Sequence, residues 1–115
     1  PLRKETSSLD IGLPDNCDDA LYLKILETNL RNIIDNFQPD FMFYLSGVDV
    51  LATDRLGRLA LSRQGCKARD RFVLNMAKSH EIPIAVSMGG GYSYRFADII
   101  EAHANTFRSV QEIFF

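Results

Sequence analysis

The sequence predicts an α/β fold, an open and mainly parallel sheet with helices on both sides in three layers. Three observations predict it. Short apolar runs such as Phe41-Met42-Phe43-Tyr44-Leu45 alternate with long stretches of helical periodicity. Those runs are continuously apolar, as in strands covered on both faces. Each gives way to an irregular stretch containing glycine before the next helix begins.

Residues 1–16 hold an apolar Leu9-Asp10-Ile11-Gly12-Leu13 centre followed by Pro14-Asp15-Asn16, which reads as a short strand or extended segment ending in a turn. A helix is predicted from about 18 to 37, because Leu23, Leu26, Leu30, Ile33, Ile34 and Phe37 form one apolar stripe. Asp18 and Asp19 suit the positive end of its dipole, and Pro39 blocks continuation. Residues 41–45 form the next strand, and 46–61 an irregular stretch. A second helix is predicted from Ser62 or Arg63 to His80, with Ser62 as N-cap and Cys66, Val73, Met76 and Ala77 facing inward. Residues 82–88 contain a further strand, which Gly89-Gly90-Gly91 breaks. The last helix is predicted over 94–114, with an inward stripe of Phe96, Ile100, His103, Phe107, Val110 and Phe114.

The bulk composition narrows the function classes. With 115 residues the chain suits one small domain or part of a larger one, and its start at Pro1 favours a portion of a longer chain. A net charge of -2 with interspersed signs gives no electrostatic basis for capturing nucleic acid or an anionic membrane. No apolar run approaches the ~18 residues of a membrane span, and no signal-peptide pattern opens the chain. Cys17 and Cys66 lie far apart and outside any CxxC spacing, so they read as reduced thiols in a cytoplasmic protein.

Right-handed crossovers place the stretches after Leu45 and after Met88 at the carboxyl ends of their strands, the edge where open α/β sheets bind ligands. In the first stretch Asp49 is a carboxylate just past a buried strand. It needs a cation, a metal or several backbone N–H groups as partners, and both a metal role and a turn-capping role are open to it. Asp54 followed by Arg55 reads as a local turn and ion pair. In the second stretch Gly90 and Gly91 let a ligand or another segment approach the backbone, and Tyr92 offers a phenol that can stabilise a developing oxyanion. A tight turn or a cradle for a small anion is the alternative, although no GxGxxG or GxxxxGK[ST] spacing supports a phosphate site. His80 suits the negative end of a helix dipole. His103 reads as a hydrogen-bonded core histidine.

The ordered motifs Phe37-Gln38-Pro39-Asp40, Ser46-Gly47-Val48-Asp49, Asp54-Arg55-Leu56-Gly57, Ile82-Pro83 and Gly89-Gly90-Gly91-Tyr92-Ser93 together resemble the histone deacetylase superfamily, including acetylpolyamine amidohydrolases and acetoin-utilisation proteins. The opening Pro1-Leu2-Arg3-Lys4-Glu5, Leu9-Asp10-Ile11 and Leu13-Pro14-Asp15 resemble its bacterial branch. The resemblance implies an arginase/deacetylase-like fold of which residues 1–115 form the C-terminal portion. It implies hydrolysis of an N-acyl-lysine or acetylpolyamine-type amide with a catalytic Zn2+. Asp49 matches a zinc ligand, Tyr92 the tyrosine that polarises the amide carbonyl, Leu56 a tunnel-lining residue, and Gly90 and Gly91 glycines of the tunnel floor. The family's histidine dyad and its Asp-x-His ligands have no match in this chain, which is therefore expected to be inactive alone. Self-association, or association with the remainder of the domain, is the partner expectation besides the substrate.

Overall fold

The computed structural model describes residues 7–54, 56–91, 93 and 95–115. The element order is α1 (Asp19–Phe37), β1 (Met42–Gly47), α2 (Arg63–Ser79), β2 (Ile84–Gly89) and α3 (Phe96–Phe114). The two strands pair in parallel, from Met42 opposite Ile84 to Gly47 opposite Gly89. The β-α-β connection read from the alternation of apolar runs and helices is thus the centre of the fold.

The helix boundaries follow from local chemistry. Asp18 caps α1 by accepting from the Leu21 N–H at 3.0 Å, and the helix closes on Gln38 in the left-handed region just before Pro39. Ser62 caps α2, accepting from the Gly65 N–H at 2.9 Å, as its place before the helical pattern predicts. Asp19 of α1 accepts in turn from the Ser62 N–H at 2.8 Å, so the first turns of two helices share one carboxylate.

Two small apolar clusters hold the elements together. Ile34, Met76 and Ile82, with Leu30, Met42 and Phe72 against them, join α1, α2 and the entry to the sheet. Val48, Leu51, Cys66 and Ala102, with Val50 and Ile99, join the stretch after β1 to α2 and α3. All four residues expected to face inward from the second helix are buried.

The structure decides one open alternative and corrects three expectations. Residues 9–13 take the extended alternative and not the strand: they run without a partner strand among the described residues and end in the turn at Asp15 and Asn16, and Asn16 and Cys17 bond to Arg58 and Ala60. An apolar extended segment cannot declare from sequence whether a neighbour will pair with it. The inward face of α3 is also displaced from the large apolar stripe. Asp98, Ala102, Thr106, Ser109 and Ile113 are buried, whereas Phe96, Ile100 and Phe107 are exposed. Small and polar side chains let α3 approach α2 closely and reach a buried polar network. The outward side of β1 is likewise open, with Phe43 86% and Leu45 67% exposed. On α1, Ile33 and Phe37 are exposed too, and only Ile34 of the predicted stripe is fully buried.

Candidate functional site

The carboxyl end of β1 is fixed from below by a buried ion pair. Arg69 and Asp70, adjacent on α2, are both buried and pair at 2.9 Å. The Arg69 guanidinium donates to the Gly47 carbonyl at 2.6 Å and to the Ser46 Oγ at 3.1 Å. Asp70 accepts from the Tyr44 hydroxyl, from Ser46 at 3.2 Å and from Thr106 of α3. Burial alone would lower the Arg69 pKa, but the Asp70 carboxylate paired with it holds it above its ordinary value, so it stays charged. Burial pushes the Tyr44 phenol up, which keeps it a proton donor to Asp70. One network therefore ties β1, α2 and α3 at the strand end that precedes Asp49.

Asp49 is exposed and crowded by backbone. A Cβ at Gly57 would stand 2.0 Å from the Asp49 carbonyl oxygen, and one at Gly90 would stand 3.1 Å from the Asp49 Cβ. A Cβ at Gly47 would stand 2.9 Å from the Asp49 Oδ1. Three segments thus close around this residue only because each offers a glycine. Among the described residues no donor hydrogen-bonds to the Asp49 carboxylate. The turn-capping role that sequence left open to it belongs to Asp54, whose Oδ2 accepts from the Leu56 N–H at 3.0 Å and the Gly57 N–H at 2.7 Å. The local turn expected at Asp54 is present, and Arg55 lies outside the described residues.

The second stretch meets the first directly. The Val48 N–H donates to the Gly89 carbonyl at 3.0 Å, and Asp54 and Ser93 form an isolated antiparallel bridge. Gly90 and Gly91 have φ of 68° and 118°, backbone that L side chains rarely adopt. Gly91 turns toward Ile99 and Val48 and away from Asp49. Leu56 is 70% exposed beside the Asp54 turn. Tyr92, the predicted carbonyl-polarising residue, lies outside the described residues, as does Tyr94. The structure thus brings Asp49 and Gly90 into contact and leaves Leu56 on the open rim.

A second polar cluster joins the two stretches. Ser93 donates to Thr53 at 2.6 Å, Thr53 donates to Asp98 at 2.9 Å, and Arg63 donates to Asp98 at 2.6 Å. Burial would raise the Asp98 pKa, yet the Thr53 hydrogen bond and the cations Arg63 and Arg95 hold it below the usual carboxylate range. Sequence reading missed Arg69, Asp70, Thr53 and Asp98. A signal for one existed: Asp70 lies four residues after Cys66 and three before Val73, on the inward stripe.

Neither histidine is hydrogen-bonded to Asp49 or to the glycine turn among the described residues, and His103 lies within electrostatic reach of Asp70 and Arg69. His80 ends α2 with its Nδ1 2.9 Å from the Met76 carbonyl. His103 is half-buried with its Nδ1 unpartnered among the described residues, contrary to the hydrogen-bonded core role expected, and burial lowers its pKa. Among the described residues, Asp49 offers a divalent cation one carboxylate without a protein partner, and no group of three or more His, Cys, Asp or Glu that could hold a metal occurs. No helix among them is long and apolar enough to cross a membrane.

Comparison with known proteins shows the family and the fold. Residues 2–107 match the family model of the histone deacetylase domain. The chain is 37% identical over 114 residues to an uncharacterized protein from Picosynechococcus sp., covering 99% of this chain and 38% of that protein. It is 37% identical over 79 residues to histone deacetylase 2 of Arabidopsis thaliana, covering 69% of this chain and 20% of that protein. Among solved structures it is similar to acetylpolyamine aminohydrolase from Burkholderia pseudomallei, with a TM-score of 0.76 at 17% identity over 91% of this chain and 29% of the other. A histone deacetylase homologue complexed with SAHA matches with a TM-score of 0.64 at 20% identity, over 90% of this chain and 31% of the other. The chain thus spans well under half the length of these proteins.

Proposed function

Since the chain belongs to the histone deacetylase family, we propose that residues 1–115 are the C-terminal portion of one catalytic domain that hydrolyses an acylated lysine or polyamine-like amide with the help of zinc. The observation that carries this reading is the contact of Gly90 with Asp49. It joins a carboxylate that lacks donors among the described residues to a glycine-rich turn at the carboxyl edge of a parallel sheet. Asp49 would hold zinc through its carboxylate, and bound zinc would polarise a carbonyl and acidify a water.

The chain's own residues contribute the electrophilic side of the site. The Tyr92 hydroxyl donates a hydrogen bond to the substrate carbonyl oxygen, and that bond strengthens as the oxygen gains negative charge. Gly90 and Gly91 keep the floor free of side chains where the acyl group ends, and Leu56 supplies apolar contact to the aliphatic stem of the substrate. The proton-transfer groups come from outside the matched motifs. Neither His80 nor His103 fits them, and without a positioned acid and base about 10²–10⁴-fold in rate is forgone. Residues 1–115 alone are therefore read as inactive. The free, buried Cys17 and Cys66 accord with a reducing, cytoplasmic setting.

A small-anion site at the start of α3 is the weaker reading. The Asp98 carboxylate already occupies the first turn of that helix, paired with Arg63.

Zinc content of the full protein carrying this chain tests the proposal. About one zinc per chain is expected, with strong loss in Asp49→Ala at unchanged thermal stability. Wild-type zinc content and activity in Asp49→Ala would remove Asp49 from the site.

A further inference from the structure

The side chains between the two stretches form a chain of hydrogen bonds with one direction. The Arg95 backbone N–H donates to the Ser93 Oγ at 3.1 Å, Ser93 donates to the Thr53 Oγ1 at 2.6 Å, and Thr53 donates to the Asp98 Oδ2 at 2.9 Å. Each hydroxyl is used once as donor and once as acceptor, so neither can turn away without breaking a bond. The chain ends on a carboxylate whose side chain is only 8% exposed and which Arg63 of α2 holds through two guanidinium nitrogens. Arg95 stands 4.0 Å away on the other side. Asp98 is thereby anchored to α2 and α3, and the free ends of both glycine-containing stretches are anchored to Asp98.

We infer that Thr53 and Asp98 are positioning residues, a latch that holds the glycine-rich turn against the Asp49 stretch and so fixes the Gly90–Asp49 approach. The inference deepens the proposed function, because that approach is the floor of the proposed site. Ser93–Thr53 is a side-chain hydrogen bond between the two stretches, beside the packing of Asp49 and Val48 against Gly90 and Gly91. The Val48–Gly89 backbone bond and the Asp54–Ser93 bridge also link them. Breaking the latch should loosen the turn locally while α2 and its Arg69–Asp70 network stay closed.

The test compares Thr53→Val, Thr53→Ser and Ser93→Ala in the full protein, with amide hydrogen exchange, zinc content and steady-state kinetics on an acetyl-lysine amide. Thr53→Val keeps the shape and removes both hydroxyl bonds. It should raise exchange in peptides covering 89–93 about 5- to 10-fold, leave 69–77 unchanged, and lower kcat several-fold at constant zinc content. Ser93→Ala should reproduce this from the other stretch. Thr53→Ser keeps the hydroxyl and should restore wild-type exchange and kcat. If Thr53→Ser behaves as Thr53→Val, the methyl packing and not the hydrogen bond matters, and the latch is overturned. Unchanged exchange in Thr53→Val overturns it equally. A wild-type protein without deacetylase activity would instead sink the proposed function, and the exchange readout would still judge the latch.

Discussion

Asp49 stands out because three glycines, Gly47, Gly57 and Gly90, approach it closely. A carboxylate in a turn ordinarily caps backbone N–H groups, and five residues later Asp54 does so, accepting from Leu56 and Gly57. Asp49 instead has no donor among the described residues, and its main chain is pressed by Gly57 and Gly90. The residue type and place of Asp49 and the glycine run were readable in the sequence, since both follow apolar strands. Gly57 was readable only as part of a motif, because a close approach between backbone atoms leaves no trace in periodicity. It now carries a prediction. In Gly57→Ala the new methyl would meet the Asp49 carbonyl oxygen, so the backbone must shift. The expected cost is roughly 1–3 kcal/mol in urea unfolding, with weakened zinc binding in titration. Wild-type values for both would show that the stretch yields without cost.

At the scale of elements, α2 places the site. Its inward face carries apolar Val73, Leu74 and Met76 at one end and the Arg69–Asp70 pair near the other, under the end of β1. Charged residues on a helix are by default read as its solvated face. Here they are buried because Tyr44, Ser46 and Gly47 of β1 and Thr106 of α3 satisfy them, and those partners lie 22 or more residues away. The same distance effect hid the true inward face of α3, where Thr106 serves the network and large apolar residues point elsewhere. Capping, by contrast, is local, so Asp18 and Ser62 were readable. Removing one partner of a buried pair leaves the other charge uncompensated. Asp70→Ala should therefore cost about 3–5 kcal/mol by chemical denaturation, more than an exposed pair such as Arg71–Glu112 would. A loss under 1 kcal/mol would mean that Arg69 finds water or another acceptor.

At the scale of the whole molecule, the described residues make a two-stranded parallel sheet with helices packed on it and leave large apolar side chains uncovered. Phe43 and Leu45 on the sheet, and Phe96, Ile100 and Phe107 on α3, are exposed. The chain covers 38% of its Picosynechococcus relative, and such surface suits contact with the rest of a domain. Residues 1–115 prepared alone should accordingly self-associate with rising concentration in size-exclusion chromatography, and Phe43→Lys with Leu45→Lys should reduce it. A clean monomer at high concentration would contradict this. The α/β class was readable from the alternation of apolar runs and helices, while the uncovered faces were not, since periodicity marks apolar sides without saying what covers them. If this sheet edge supplies the electrophilic half of a deacetylase site, as proposed, hydrolysis of an acetyl-lysine amide by the full protein and its Tyr92→Phe variant reads it most directly. A fall in kcat of about 10²–10³-fold with zinc retained is expected. Equal activity in the two proteins would contradict it.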